Sequence, residues 1–119
     1  MLGEGTSQQG SYVGPDQLRF DFNYPRPVSR EHLHEVASII NDRSMDDLPV
    51  HWEVMAMQRA RQMGAIMMFG EKYGDEVRVV SIGEYSRELC GGTHTHDSGG
   101  LGAVVVANAL GIGSGNRLT

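Results

Sequence analysis

Two rhythms of apolar and polar residues run along this chain. Over Leu18–Tyr24, the residues Leu18, Phe20, Phe22 and Tyr24 fall on one side and Arg19, Asp21 and Asn23 on the other. That period of two predicts a strand. A shorter extended segment, Ser7–Val13, precedes it, and Gly14-Pro15-Asp16 between them reads as a hairpin turn. Over Ser29–Arg43 the rhythm changes: Leu33, Val36, Ala37 and Ile40 form one stripe at helical spacing. Ser29 is the expected N-cap, and Glu31 sits in the first turn, where the helix dipole favours negative charge. Pro25, Pro27 and Pro49 bound this helix. Val50–Met57 reads as a strand, Met57–Met63 as a short helix, and Gly64 as the glycine that ends it. Ala65–Phe69 is apolar and Gly70–Asp75 is a polar turn. Glu76–Gly83, Tyr85–Cys90 and Gly102–Ala107 are three further strand candidates, the last apolar on both faces and expected to be central. Strands outnumber helices and do not alternate with them one to one. The expected fold class is α+β, a largely antiparallel sheet with helices on one face. Leu18–Tyr24 and Glu76–Gly83 are expected in one sheet, with Leu33, Val36 and Ile40 packed on it.

Composition narrows the function classes. The length of 119 residues fits a single domain over 1–119. No apolar run of membrane-spanning length occurs, and the polar Met1–Gly10 has no signal-peptide core. The sole cysteine, Cys90, excludes an internal disulfide and fits a reducing, cytoplasmic compartment. The net charge of −5 argues against a general nucleic-acid coat, because phosphate neutralisation needs clustered Lys and Arg, but it leaves room for local contact with RNA. Glycine is abundant, and eight of the 16 glycines lie between Gly91 and Gly115.

The richest chemistry lies in Glu88-Leu-Cys-Gly-Gly-Thr-His-Thr-His-Asp97. The two glycines let the backbone turn tightly, so that Cys90 and His94 can converge on one point. Thiolate and imidazole are donors suited to Zn²⁺. The alternatives are a small buried cysteine beside a solvated histidine, or Cys90 as a nucleophile with a histidine base. His32 and His34 project 200° apart on the predicted helix and cannot chelate one ion, and His51 carries no further signal. The internal candidate set is therefore Cys90, His94 and His96. Gly111–Arg117 superficially resembles a phosphate cradle but lacks its Lys-Ser/Thr, and reads as a tail or turn. Met45, Met55, Met57, Met63, Met67 and Met68 read as a plastic core patch.

Taken together, several segments resemble a known family. Leu2-Gly3, Ser7-Gln-Gln-Gly-Ser11 and Leu18-Arg-Phe-Asp-Phe22 resemble the start of the editing domain of alanyl-tRNA synthetase and of free-standing alanyl-tRNA editing proteins. Leu48-Pro-Val, Gly64-Ala65, Phe69-Gly-Glu-Lys-Tyr-Gly-Asp75, Val77-Arg-Val-Val80 and Glu88-Leu-Cys-Gly-Gly-Thr-His94 continue the likeness in order. It extends from about Leu2 to Gly102. The resemblance implies a zinc-dependent hydrolase that removes serine or glycine from mischarged alanine tRNA. It implies zinc ligands at Cys90 and His94, and substrate-binding roles for Gln8 and Ser11. A second pair of ligands, a His-x3-His on a helix, is expected upstream of Leu2. Gly5 also stands where the family often has a histidine.

Three explanations follow: a truncated editing domain, a relative in which His96 or a partner replaces a ligand, or a fold reused for binding. The leading expectation is ester hydrolysis on the acceptor end of an aminoacyl-tRNA. The alternative is a non-catalytic relative that binds a small ligand, a tRNA end or a protein. No membrane partner is expected. A homodimer, or a partner that covers an exposed sheet face, is expected.

Overall fold

The computed structural model describes residues 1–68 and 70–119. The element order is β1 (Gln8–Val13), β2 (Leu18–Asn23), α1 (Arg30–Met45), β3 (Val50–Ala56), α2 (Met57–Gln62), β4 (Glu76–Ile82), β5 (Ser86–Leu89), β6 (Ala109–Ile112) and β7 (Gly115–Leu118). A 3-10 turn occupies Gly99–Leu101. This is an α+β protein, as the element pattern predicts. Its strands form two antiparallel sheets, one ordered β1-β2-β7-β6 and the other β3-β4-β5. Strands β2 and β4 therefore lie in different sheets, and the single sheet expected from the sequence does not form. The chain divides into two compact units, Met1–Ile40 with Val104–Thr119, and Asn41–Ala103.

In the first unit, β1 and β2 form the expected hairpin around Gly14-Pro15. The C-terminal segment corrects the sequence reading. Gly111–Arg117 belongs neither to a tail nor to a phosphate cradle but to a second hairpin, β6–β7, which turns at Gly113 with φ of 52°. Strand β7 pairs with β2 from Phe20–Leu118 to Asn23–Gly115. Two side chains lock this pairing. Asn116, 2% exposed, donates through its amide to the carbonyls of Tyr24 at 3.0 Å and Arg26 at 2.9 Å. Arg117 donates through Nε and a terminal nitrogen to both carboxylate oxygens of Asp21, each at 2.7 Å. Gly102–Ala107 is a further correction. It forms no strand, and Val105 is 80% exposed. Only its end is held by the neighbouring backbone, where the Ala107 amide donates to the Thr119 carbonyl at 2.8 Å.

Helix α1 is capped as the sequence predicts: the Ser29 hydroxyl accepts from the His32 amide at 3.2 Å. The same hydroxyl helps hold the Glu31 carboxyl below its ordinary value, behind the contribution of its own backbone amide. The stripe Leu33, Val36, Ala37 and Ile40 is half-buried throughout, not core.

The second unit holds the hydrophobic core, built from Met55, Ala60, Ala65, Val77, Val79 and Leu89, with Met57, Met63 and Tyr73 packed against it. The methionine patch is thus partly core, but Met45 is 84% exposed. Helix α2 ends in a Schellman motif. The Gly64 amide donates to Arg61 and the Ala65 amide to Ala60, with Gly64 at φ 71°. Ala60 and Ala65, at the two ends of that motif, are both core residues. Ile66 then bridges to β5, donating to the Arg87 carbonyl and accepting from Leu89. Of the apolar run Ala65–Phe69, Phe69 lies outside the described residues.

Register assigns the two faces of the β3-β4-β5 sheet. Met55, Val77, Val79 and Leu89 share the core face. Trp52, Val54, Arg78, Val80 and Glu88 share the other. On that face Trp52 and Val54 are 59% and 57% exposed.

Candidate functional site

The second unit supplies the one cluster of metal-binding side-chain types found among the described residues. Strand β5 ends at Leu89, and because side chains alternate, Glu88 and Cys90 both point away from the core that Leu89 enters. The Cys90 amide continues the ladder by donating to the Arg78 carbonyl at 3.2 Å. Beyond it, Gly91 and Gly92 turn the chain so that His94 comes back toward Cys90. The thiol, an imidazole nitrogen and a Glu88 carboxylate oxygen all lie within 4.8 Å of one another. Glu88 and Cys90 are half-buried, and His94 is exposed. The Gly92 amide donates to the Cys90 sulfur at 3.4 Å.

The sequence reading placed Cys90 and His94 together, and the structure brings them together. It does not bring His96 to them. The His96 carbonyl accepts from the Val50 amide at 2.9 Å, and the Ser98 amide donates to the Leu48 carbonyl. This returns the chain to the start of β3. Cys90 is instead level with Arg78, which pairs with Val54. Four residues of strand separate Val50 from Val54, about 13 Å. Glu88 occupies the third place in the cluster. Sequence reasoning passed over it, although the signal was present: two residues before Cys90 on a strand is the same face. His32, His34 and His51 lie outside the cluster. The Nδ1 atom of His32 is buried without a hydrogen-bond partner.

Gln8 and Ser11 lie in the first unit, on β1. Three residues apart, they would face opposite ways on a regular strand. A bulge between Gln8 and Gly10 resets the register, so that Gln8 pairs with Phe22 and Ser11 with Phe20. Phe20 and Phe22 share one face of β2, with ring centroids 6.2 Å apart. The amide and the hydroxyl are thereby set on one aromatic face.

Two further facts bear on what the chain can do. Among the described residues, no helix is long and apolar enough to cross a membrane. A recess of about 500 Å³ beside α2 is lined by Met57, Arg61, Tyr73 and Asp75, among others. The Tyr73 hydroxyl accepts from the Met68 amide at 3.0 Å, and burial pushes its pKa up.

Comparison with known proteins follows the same residues. Residues 77–118, from β4 through the Cys-Gly-Gly-Thr-His loop to β7, match the family described as threonyl and alanyl tRNA synthetase second additional domain. The alanine–tRNA ligase of Lysinibacillus sphaericus (strain C3-41) is 50% identical over 117 residues, 98% of this chain and 13% of that protein. That of Latilactobacillus sakei subsp. sakei (strain 23K) is 50% identical over 117 residues, again 98% of this chain and 13% of the relative. That of Salinispora tropica is 48% identical over 116 residues, with the same coverage of 98% and 13%. The chain thus spans only 13% of the length of these relatives, as one continuous likeness that includes the cluster and both hairpins. The chain is thus similar along nearly its whole length to a segment of the alanine–tRNA ligases, and its residues 77–118 match the threonyl and alanyl tRNA synthetase second additional domain.

Proposed function

We propose that this chain is an aminoacyl-tRNA editing module that hydrolyses the ester joining a wrongly attached serine or glycine to alanine tRNA. The observation that carries the proposal is the convergence of Glu88, Cys90 and His94, three donors within 4.8 Å, with Glu88 and Cys90 on the face of the strand opposite core residue Leu89. The likeness to alanine–tRNA ligases supplies the substrate class.

A thiolate and an imidazole are donor types that Zn²⁺ accepts, so Cys90 and His94 fit as part of a zinc site whose further ligands come from outside the cluster. Cys90 and His94 would hold it. When bound, zinc supplies Lewis-acid polarisation and activation of water. The protein groups divide the remaining work. The Glu88 carboxylate, in the same cluster, accepts the proton that the attacking water gives up. Gln8 and Ser11, on one face of β1 in the first unit, are a polar pair able to hydrogen-bond a hydroxyl-bearing ligand by themselves. The leaving group is the ribose hydroxyl of the terminal nucleotide. The net charge of −5 leaves tRNA recognition to local contacts.

The test measures zinc per chain and deacylation of seryl- and glycyl-tRNA(Ala). Wild type is expected to take up one zinc. Cys90→Ala and His94→Ala should each lose both metal and hydrolysis. Glu88→Gln should keep the metal and slow hydrolysis by about 100-fold, the scale of general base catalysis. His96→Ala should leave both unchanged. Zinc-supplemented wild type without bound metal would sink the zinc mechanism.

A further inference from the structure

We propose that Arg78 is the positioning residue of this site: one guanidinium nitrogen clamps the Cys90–Gly92 turn and so fixes where Cys90 and His94 converge. The inference rests on the reading of Glu88, Cys90 and His94 as the functional cluster, but its test does not require metal.

The need for a clamp follows from the sequence of the turn. Gly91 and Gly92 carry no side chains, and added Cβ atoms there would meet nothing closer than the Cys90 sulfur at 3.6 Å. Packing therefore does not hold this turn, and two adjacent glycines have more backbone freedom to lose than any other pair. A site in which sulfur and imidazole must meet within a few tenths of an ångström needs another restraint.

Arg78 supplies it. A single nitrogen, Nη1, donates to the Cys90 carbonyl at 2.8 Å and to the Gly92 carbonyl at 2.7 Å. The two acceptors bracket Gly91, so the clamp fixes both ends of the glycine turn at once. Both bonds come from a charged donor, the stronger class of hydrogen bond. The guanidinium is itself held in place. Its carbon lies 4.6 Å from the centroid of the Trp52 ring, a cation–π contact on the same sheet face. The root of the side chain is fixed as well, because Arg78 lies on the central strand β4, paired with Val54 and bonded through its carbonyl to the Cys90 amide. Among the described residues, the side-chain hydrogen bonds of Arg78 go to the Cys90 and Gly92 carbonyls and not to the three clustered side chains. Arg78 acts on them through the backbone. Outer partners of this kind commonly change metal affinity by 10–100-fold when removed.

The test uses the 119-residue chain with ¹⁵N relaxation in metal-free, chelator-containing buffer. In wild type the amide order parameters of Gly91–His94 are expected above about 0.8, the range of rigid backbone. In Arg78→Met, which keeps the apolar stem over Trp52 and loses the donors, they should fall below about 0.6, while β3, β4 and β5 stay rigid. A wild-type turn that is already flexible, or a turn equally rigid in both proteins, overturns the proposal. Where Arg78→Met fails to fold, Arg78→Gln is read the same way, since its shorter amide cannot span both carbonyls. A zinc titration by chelator competition runs in parallel, with Arg78→Met expected to bind about tenfold more weakly. Absence of zinc binding in wild type overturns the metal reading alone; the order parameters still decide the role of Arg78.

Discussion

The Asp21–Arg117 pair ties β2 to β7 across 96 residues of sequence. Its two parallel hydrogen bonds hold the Asp21 carboxyl below its ordinary value, with the Arg117 side-chain bond the largest cause. The sign of the pH dependence follows. The unfolded carboxyl takes up its proton at a higher pH than the folded one. The stabilisation is therefore complete above the unfolded value, near pH 4, and is lost as pH falls through the lower folded value. Thermal melts of wild type should show the first unit losing stability on acidification below about pH 4. Asp21→Asn should melt lower at neutral pH and lose part of that acid sensitivity. An unchanged acid profile in the variant would show that other carboxyls carry the effect. At this same scale the candidate site is governed by single atoms: a sulfur, an imidazole nitrogen and a carboxylate oxygen meet because Glu88 and Cys90 alternate with core Leu89.

Helix α2 has only six residues, too few to be stable by propensity. Its termination and its packing hold it. Gly64, at φ 71°, lets the Schellman bonds close and brings Ala65 beside Ala60 in the core. A Cβ at Gly64 would meet no atom within 4 Å, so a substitution there is penalised by backbone conformation alone. Gly64→Ala is expected to cost about 1–2 kcal/mol, the penalty of a left-handed alanine, measured by urea unfolding. A neutral result would mean that the helix end relaxes to another geometry. The β1 bulge works at the same scale. Without it Gln8 and Ser11 would point to opposite faces, and with it they share one.

Across the whole molecule, apolar burial is uneven. The second unit has a continuous core, whereas Val13, Leu18 and Phe20 in the first unit, and Trp52 and Val54 in the second, remain exposed. Exposed apolar side chains grouped on a sheet face are association surfaces. Sedimentation velocity from micromolar to millimolar concentration should show reversible self-association that Val54→Lys weakens. A strictly monomeric wild type would remove the β3 face as a contact surface. The sequence by itself determined what is local. The β1–β2 hairpin, the Ser29 cap, the Gly64 stop and the α+β class were all legible, because side-chain alternation, capping and left-handed turns depend on residues within a few positions of one another. Cys90 and His94 were legible for the same reason, since their convergence needs only the two glycines between them. Pairing between distant strands was decided by the tertiary structure. Gly102–Ala107 is apolar yet forms no strand, while within the glycine-rich 111–117 the residues Asn116 and Arg117 find partners on or beside β2. The third member of the cluster was decided the same way. His96 is drawn back to Val50 by a backbone bond, leaving Glu88 beside Cys90. A strand's period tells which residues share its face; only the register of its neighbours tells what that face will meet.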